Sequence, residues 1–209
     1  MTGFRRLGVT ILGTMFIVVL AHRVDAQAPQ AALPAKPAET AKPVGATAKG
    51  TTIKLTGLTM TVPEGWVEEK FEPTPMGPKA VFKIPKTDPN GEDGTVRITH
   101  FANMKGKDKD DMNIDRWIGQ VGKPDGQPST RSDAKITTTE IGSVKLTVVD
   151  LSGSVKLTAR DTAKPNQRMI AAIVDHPQGP HFVVSAGPAA SMEKWVVQID
   201  AFLKSAKPE

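Results

Sequence analysis

From Lys135 onward the chain is written as strand after strand with almost nothing between them. KITTTEI and VKLTVVDLSGSV meet at an Ile-Gly-Ser turn, and RMIAAIVDH and HFVVSAG are joined by Pro-Gln-Gly-Pro. Strands linked this closely run antiparallel, because a parallel return needs a crossover of about a dozen residues or more. The first half follows the same rule. In IKLTGLTMTVP, Ile53 and Leu55, then Leu58, Met60 and Val62, alternate with polar residues around Gly57. KAVFKIP (79–85) and GTVRITHF (94–101) are two further strands, joined by KTDPNGEDG.

Two segments break the alternation. In DDMNIDRWIGQVG, Ile114, Trp117, Ile118 and Val121 recur at helical spacing. Asp110 or Asp111 is the expected N-cap, and Gly122 followed by Pro124 the expected stop. A last helix is expected from about Ala189 to Ser205, with Met192, Trp195, Val196, Ile199, Phe202 and Leu203 on one face. Strands, helix, strands, helix predict an α+β domain, an antiparallel β-sheet flanked by helices, rather than a parallel α/β one.

The N-terminus lies outside that domain. MTGFRR is basic, LGVTILGTMFIVVLA is apolar, and VDAQA supplies small residues, so residues 1–26 are expected to be a signal peptide cut after Ala26. The apolar run is shorter than the about 20 residues that span a bilayer. Residues 27–50 hold eight Ala, four Pro and three Lys. That is too little apolar bulk to fold, so a disordered linker is expected there. Residues 51–209 then form a single domain, exported to a periplasm or the medium. With no cysteine it has no disulfide or thiol chemistry, and its core alone must hold it together.

The charge balance excludes one class of partner. Of the net +5, residues 1–26 and 27–50 carry +2 each, which leaves +1 for the domain, from 21 basic and 20 acidic residues. Phosphate-backbone binding needs a basic face, so no nucleic-acid partner is expected. No membrane span is expected once the signal is removed.

Strand–VPEGW near the start, then AVFKIP, the DRWIGQ helix, and a hairpin–SAGP–helix closing with IDAFLKS resemble the PsbP-like α/β/α sandwich over residues 53–205. That fold is named after a thylakoid-lumen subunit and recurs in small exported bacterial proteins. The resemblance implies non-enzymatic work as an accessory or assembly factor or a binding module, and it transfers no site residue.

Direct signs of chemistry are few. HPQGPH places His176 and His181 on either side of a turn, where two imidazoles can meet. Asp175 offers an oxygen, and His100 closes the GTVRITHF strand. Zinc and copper sites take three or four protein ligands, so His176, His181 and His100 are the candidate metal ligands. The plainer reading of HPQGPH is a polar hairpin tip. KTDPNGEDG fails as an EF-hand loop, since counting from Asp88 puts Asp93 at the glycine position and Thr99 at the final acid. IGQVGKP follows a helix rather than preceding one, the wrong end for a phosphate. G-x-S-x-G, H-E-x-x-H and G-x-G-x-x-G are missing, so no catalytic residue and no cofactor is assigned. Among aromatics, Trp66 in the PEGW turn is the candidate for stacking a ligand; folding over one end of the sheet is its structural alternative.

The expected function is an exported, non-enzymatic binding or accessory module. Its partner would be a protein or a small ligand held between sheet and helix. The alternatives are a metal-binding protein using the His176/His181 hairpin, and a cryptic hydrolase.

Overall fold

The structure, a computed structural model, describes residues 50–209 apart from Asn103, Lys105 and Lys107. The expected signal peptide and all but the last residue of the expected linker lie outside the described residues. The elements run in the order β1 (Thr51–Leu55), β2 (Leu58–Val62), β3 (Val67–Glu68), β4 (Ala80–Ile84), β5 (Gly94–His100), α1 (Lys109–Ile118), β6 (Val121–Gly122), β7 (Lys135–Ile141), β8 (Val144–Val155), β9 (Lys164–Asp175), β10 (His181–Pro188), α2 (Ala189–Lys204) and β11 (Lys207–Pro208).

The main sheet is antiparallel in the order β3-β4-β5-β10-β9-β8-β6, with β7 also on β8. A small sheet, β1-β2-β11, is separate from it. This is the α+β antiparallel architecture expected from the strand and turn pattern. Because side chains alternate across a strand, β9 feeds two cores. Ile170, Ala172 and Val174 join Leu58, Met60, Phe202 and Leu203 on one face. Met169, Ala171 and Ile173 join Ile114, Trp117 and Ile118 on the other. Helix α2 and the small sheet cover the first face, and α1 covers the second, giving three layers. Both faces being covered explains why MIAAIV (169–174) reads as an unbroken apolar run.

Helix α1 departs from expectation at both ends. It starts at Lys109, behind Asp108, whose backbone is already helical and whose side chain makes no cap. Neither Asp110 nor Asp111 caps it, because ion pairs hold both carboxylates: Asp110 with Lys109 and Lys145, Asp111 with Arg131. At the other end the helix stops at Ile118, with Gly119 as its C-cap. Val121 and Gly122 instead pair with Val155 and Ser154. A Cβ on Gly153 would stand 2.2 Å from the Gly122 carbonyl oxygen, so this close strand approach requires glycine.

Trp66 lies in the core. It is 9% exposed and packs at 5.2 Å from Phe202 and 6.2 Å from Phe82 between ring centres. That matches its structural alternative and leaves no free face for stacking a ligand. No helix among the described residues is long and apolar enough to cross a membrane.

Candidate metal centre

Strand register brings the three histidines together. His181 opens β10 directly opposite His100, the last residue of β5, and its other neighbour across the sheet is Val174 of β9. The two-residue repeat then fixes the face. His100 follows Val96 and Ile98, His181 precedes Val183, and His176 follows Ala172 and Val174. All of these apolar residues belong to the α2 side of the core. The three imidazoles therefore project from one end of the sheet toward the same side.

The turn that positions them is tightly packed. Gly179 has φ of 106° and donates its N–H to the His176 carbonyl at 3.0 Å. A Cβ there would come within 2.9 Å of backbone atoms of Phe101 and Ala102. The N–H of Phe101 reaches the Pro180 carbonyl, and Gln178 abuts Gly57 in the turn between β1 and β2. The hairpin is thus where the sequence places it, but its tip is pressed between two neighbouring segments. His176 is 6% exposed, His100 9% and His181 not at all.

The rings form a stack. His181 lies 4.4 Å from His100 and 5.0 Å from His176 between ring centres, with planes 27° and 19° apart. His176 Nε2 and His181 Nδ1 are 3.0 Å apart, and His100 Nε2 meets the Gln178 carbonyl at 3.1 Å. One ligand nitrogen from each ring falls within 4.8 Å of the others. His181 Nε2 is buried with no hydrogen-bond partner among the described residues. An orphaned polar atom in a fully buried side chain costs on the order of 1–3 kcal/mol and calls for an explanation.

Burial disfavours the charged form of His176 and His181. Burial, then the charges of His100 and His176, pushes His181 down to about 3. Burial, then His100, also lowers His176, against a smaller opposite pull from Asp175. Asp175 is not available as the oxygen ligand its position suggested, because its carboxylate is bound to Lys109 at 2.8 Å. Lys109 in turn holds Asp110 at 2.7 Å. The donor set is three imidazoles without a carboxylate.

Two concavities accompany it. One, of about 510 Å³, has His100 in its wall, with Met76 and Met104 beside it. The other, of about 460 Å³, is the expected groove between sheet and helix, lined by apolar residues such as Leu146, Val148, Val196 and Leu203 with Lys135, Asp150, Asp200 and Lys204 among them.

An antiparallel α+β sandwich with a buried three-histidine cluster is thus the class of protein defined here. No family model and no curated protein matches the chain. Among solved structures it is similar to cyanobacterial PsbP (CyanoP) from Synechocystis, at 13% identity over 83% of this chain and all of that one, with a TM-score of 0.49. It is also similar to a Pseudomonas aeruginosa protein of unknown function, PA94, at 11% identity over 77% of this chain and 97% of that one, with a TM-score of 0.46. These likenesses concern the fold and assign no residue a role.

Proposed function

We propose that this chain is an exported, non-catalytic binding module that holds one transition-metal ion between His100, His176 and His181. The observation that carries this reading is the meeting of three imidazoles, one ring nitrogen of each lying within 4.8 Å of the others. Nitrogens 3.0 Å apart, each about 2.1 Å from an ion, subtend an angle of about 90° there. Two donors facing each other across an ion are about 4.2 Å apart, so ring shifts on the order of an ångström draw the whole cluster onto one ion. The carbonyl of Gln178, bonded to His100, would orient that ring as an outer-shell partner. Three imidazole nitrogens without a carboxylate suit zinc, copper or nickel, and not magnesium, calcium or manganese.

Titrating the metal-stripped full chain with zinc and copper salts tests this reading. One ion per chain is expected for the wild type and none for the His176→Ala/His181→Ala pair. Wild-type protein that takes up no ion, or a double variant that binds as well, refutes it.

A second reading rests on the groove of about 460 Å³, a size typical of small-molecule sites. Its apolar floor and mixed charges suit an amphipathic small ligand. Val196→Trp would fill the groove, so a ligand found bound to the wild type should be lost from that variant.

A further inference from the structure

Resting on the groove reading above, we propose that the groove between β7, β8 and α2 holds a single-tailed aliphatic carboxylate, with its head at Lys135 and its tail along the apolar floor. The first argument is charge. The charged side chains lining the groove are Lys135, Asp150, Asp200 and Lys204. Asp150 is taken up by Arg168, whose guanidinium donates to both carboxylate oxygens at 2.9 and 2.7 Å. Asp200 and Lys204 hold each other at 2.8 Å across one helical turn. Lys135 sits opposite Asp150 in the strand register, yet it is left without an ion pair among the described residues. The groove therefore presents one uncompensated charge, and it is positive.

That lysine selects a monoanion. A phosphate monoester carries about −1.5 to −2 at pH 7, and its surplus charge would stand beside Asp150 and Asp200, whose own partners are already engaged. A carboxylate carries one charge. Its two oxygens can accept from the Lys135 ammonium and from the hydroxyl of Thr137, two residues further along the same face of β7.

The second argument is shape. Leu146, Val148, Ile170 and Leu203 floor the groove, and Val197 stands 47% exposed at its side. The ends differ, with Lys135 opposite Asp150 at one and Thr139 opposite Leu146 at the other. From Lys135 to Thr139 the strand advances about 14 Å, and from Val196 to Lys204 the helix advances about 12 Å. With C–C bonds of about 1.5 Å, an extended alkyl tail covers that length in about ten carbons. A charged end and an apolar strip of that length match one fatty-acid molecule of medium length.

The test is calorimetric titration of the full chain with dodecanoate, dodecyl phosphate and dodecyltrimethylammonium, each below its micelle-forming concentration. The wild type is expected to bind one dodecanoate, about tenfold more tightly than either other amphiphile. Affinity should climb by up to about fourfold per added methylene from octanoate to dodecanoate and level off beyond, where the floor ends. Lys135→Gln should weaken dodecanoate about fivefold and leave dodecyltrimethylammonium no weaker. Val196→Trp should abolish all binding. Another amphiphile bound as tightly as dodecanoate, or dodecanoate affinity unmoved by Lys135→Gln, overturns the carboxylate inference and leaves the groove reading standing, provided Val196→Trp still abolishes binding. Failure to bind any of the three, or dodecanoate binding that survives Val196→Trp, overturns both.

Discussion

Acidifying the metal-free protein from pH 7.5 to 5.0 should destabilise it through His181. In the unfolded chain this imidazole titrates near 6.5, whereas in the fold burial and its two histidine neighbours lower it to about 3. Between those values the unfolded state binds the proton and the native state does not. Stability therefore falls as pH falls, by about 1.4 kcal/mol for each pH unit. Above pH 6.5 both states are neutral and the effect vanishes. At pH 5.0 the loss from His181 alone is about 2 kcal/mol, and His176, lowered in the same direction, adds to it. For a domain of this size that is a drop in Tm of about 4–8 °C. Ordinary carboxylates titrate near 4 in the unfolded chain, so they contribute little in this window. The assay is urea unfolding at half-unit pH steps, for the wild type and for His181→Leu. The substitution removes the orphaned nitrogen but also the partner of His176 Nε2, so the two proteins are compared by slope, and the variant should show the shallower one below pH 6.5. Wild-type stability that is flat or rising toward pH 5.0, or slopes that coincide for the two proteins, refutes the reasoning.

Other substitutions probe the supports of the cluster. Gly179→Ala places a Cβ 2.9 Å from the backbone of Phe101 and Ala102 at a φ of 106°. It should cost about 1–3 kcal/mol in urea unfolding and weaken metal binding together. Trp66→Ala empties a site between Phe82 and Phe202; it should cost about 3–5 kcal/mol by the same assay and leave metal stoichiometry at one. Arg168→Ala removes the fork on Asp150, at 2.9 and 2.7 Å, and the contact with Glu193 that ties β9 to α2. A loss of about 2 kcal/mol is expected by thermal unfolding, with the pH slope between 5.0 and 6.5 unchanged.

The strands were legible because period-two alternation and short turns leave few other solutions. IKLTGLTMTVP and HPQGPH mark hairpins on either side of positive-φ glycines, Gly57 and Gly179. What escaped were features with no period to read. Strand β6 is two residues long and depends on the missing side chain of Gly153. Asp110 and Asp111 look like caps locally, but Lys145 and Arg131, distant in sequence, hold their carboxylates. KPNQ has the composition of a turn, yet Lys164–Gln167 already belong to β9.

The candidate site was half legible. The five-residue spacing of His176 and His181 implies proximity across a turn, and the parity of His100 with Val96 and Ile98 puts it on the same face. Burial was not readable, because HPQGPH is polar in composition. Pro177 and Gln178 stay exposed, while His176, Gly179, Pro180 and His181 are buried beneath segments from elsewhere, Phe101–Ala102 among them.

The central claim, that the histidine cluster is a metal centre, is tested most directly by mass. The full chain would be expressed with its own N-terminus, incubated with one equivalent of copper or zinc and desalted, and native and denaturing mass spectra recorded for the wild type and for His176→Ala/His181→Ala. An excess of one ion on the native wild type, removed by denaturation and missing from the variant, is the predicted result. A native wild type at its metal-free mass, or an excess that the variant shares, would contradict the account and return the three histidines to the core as packing.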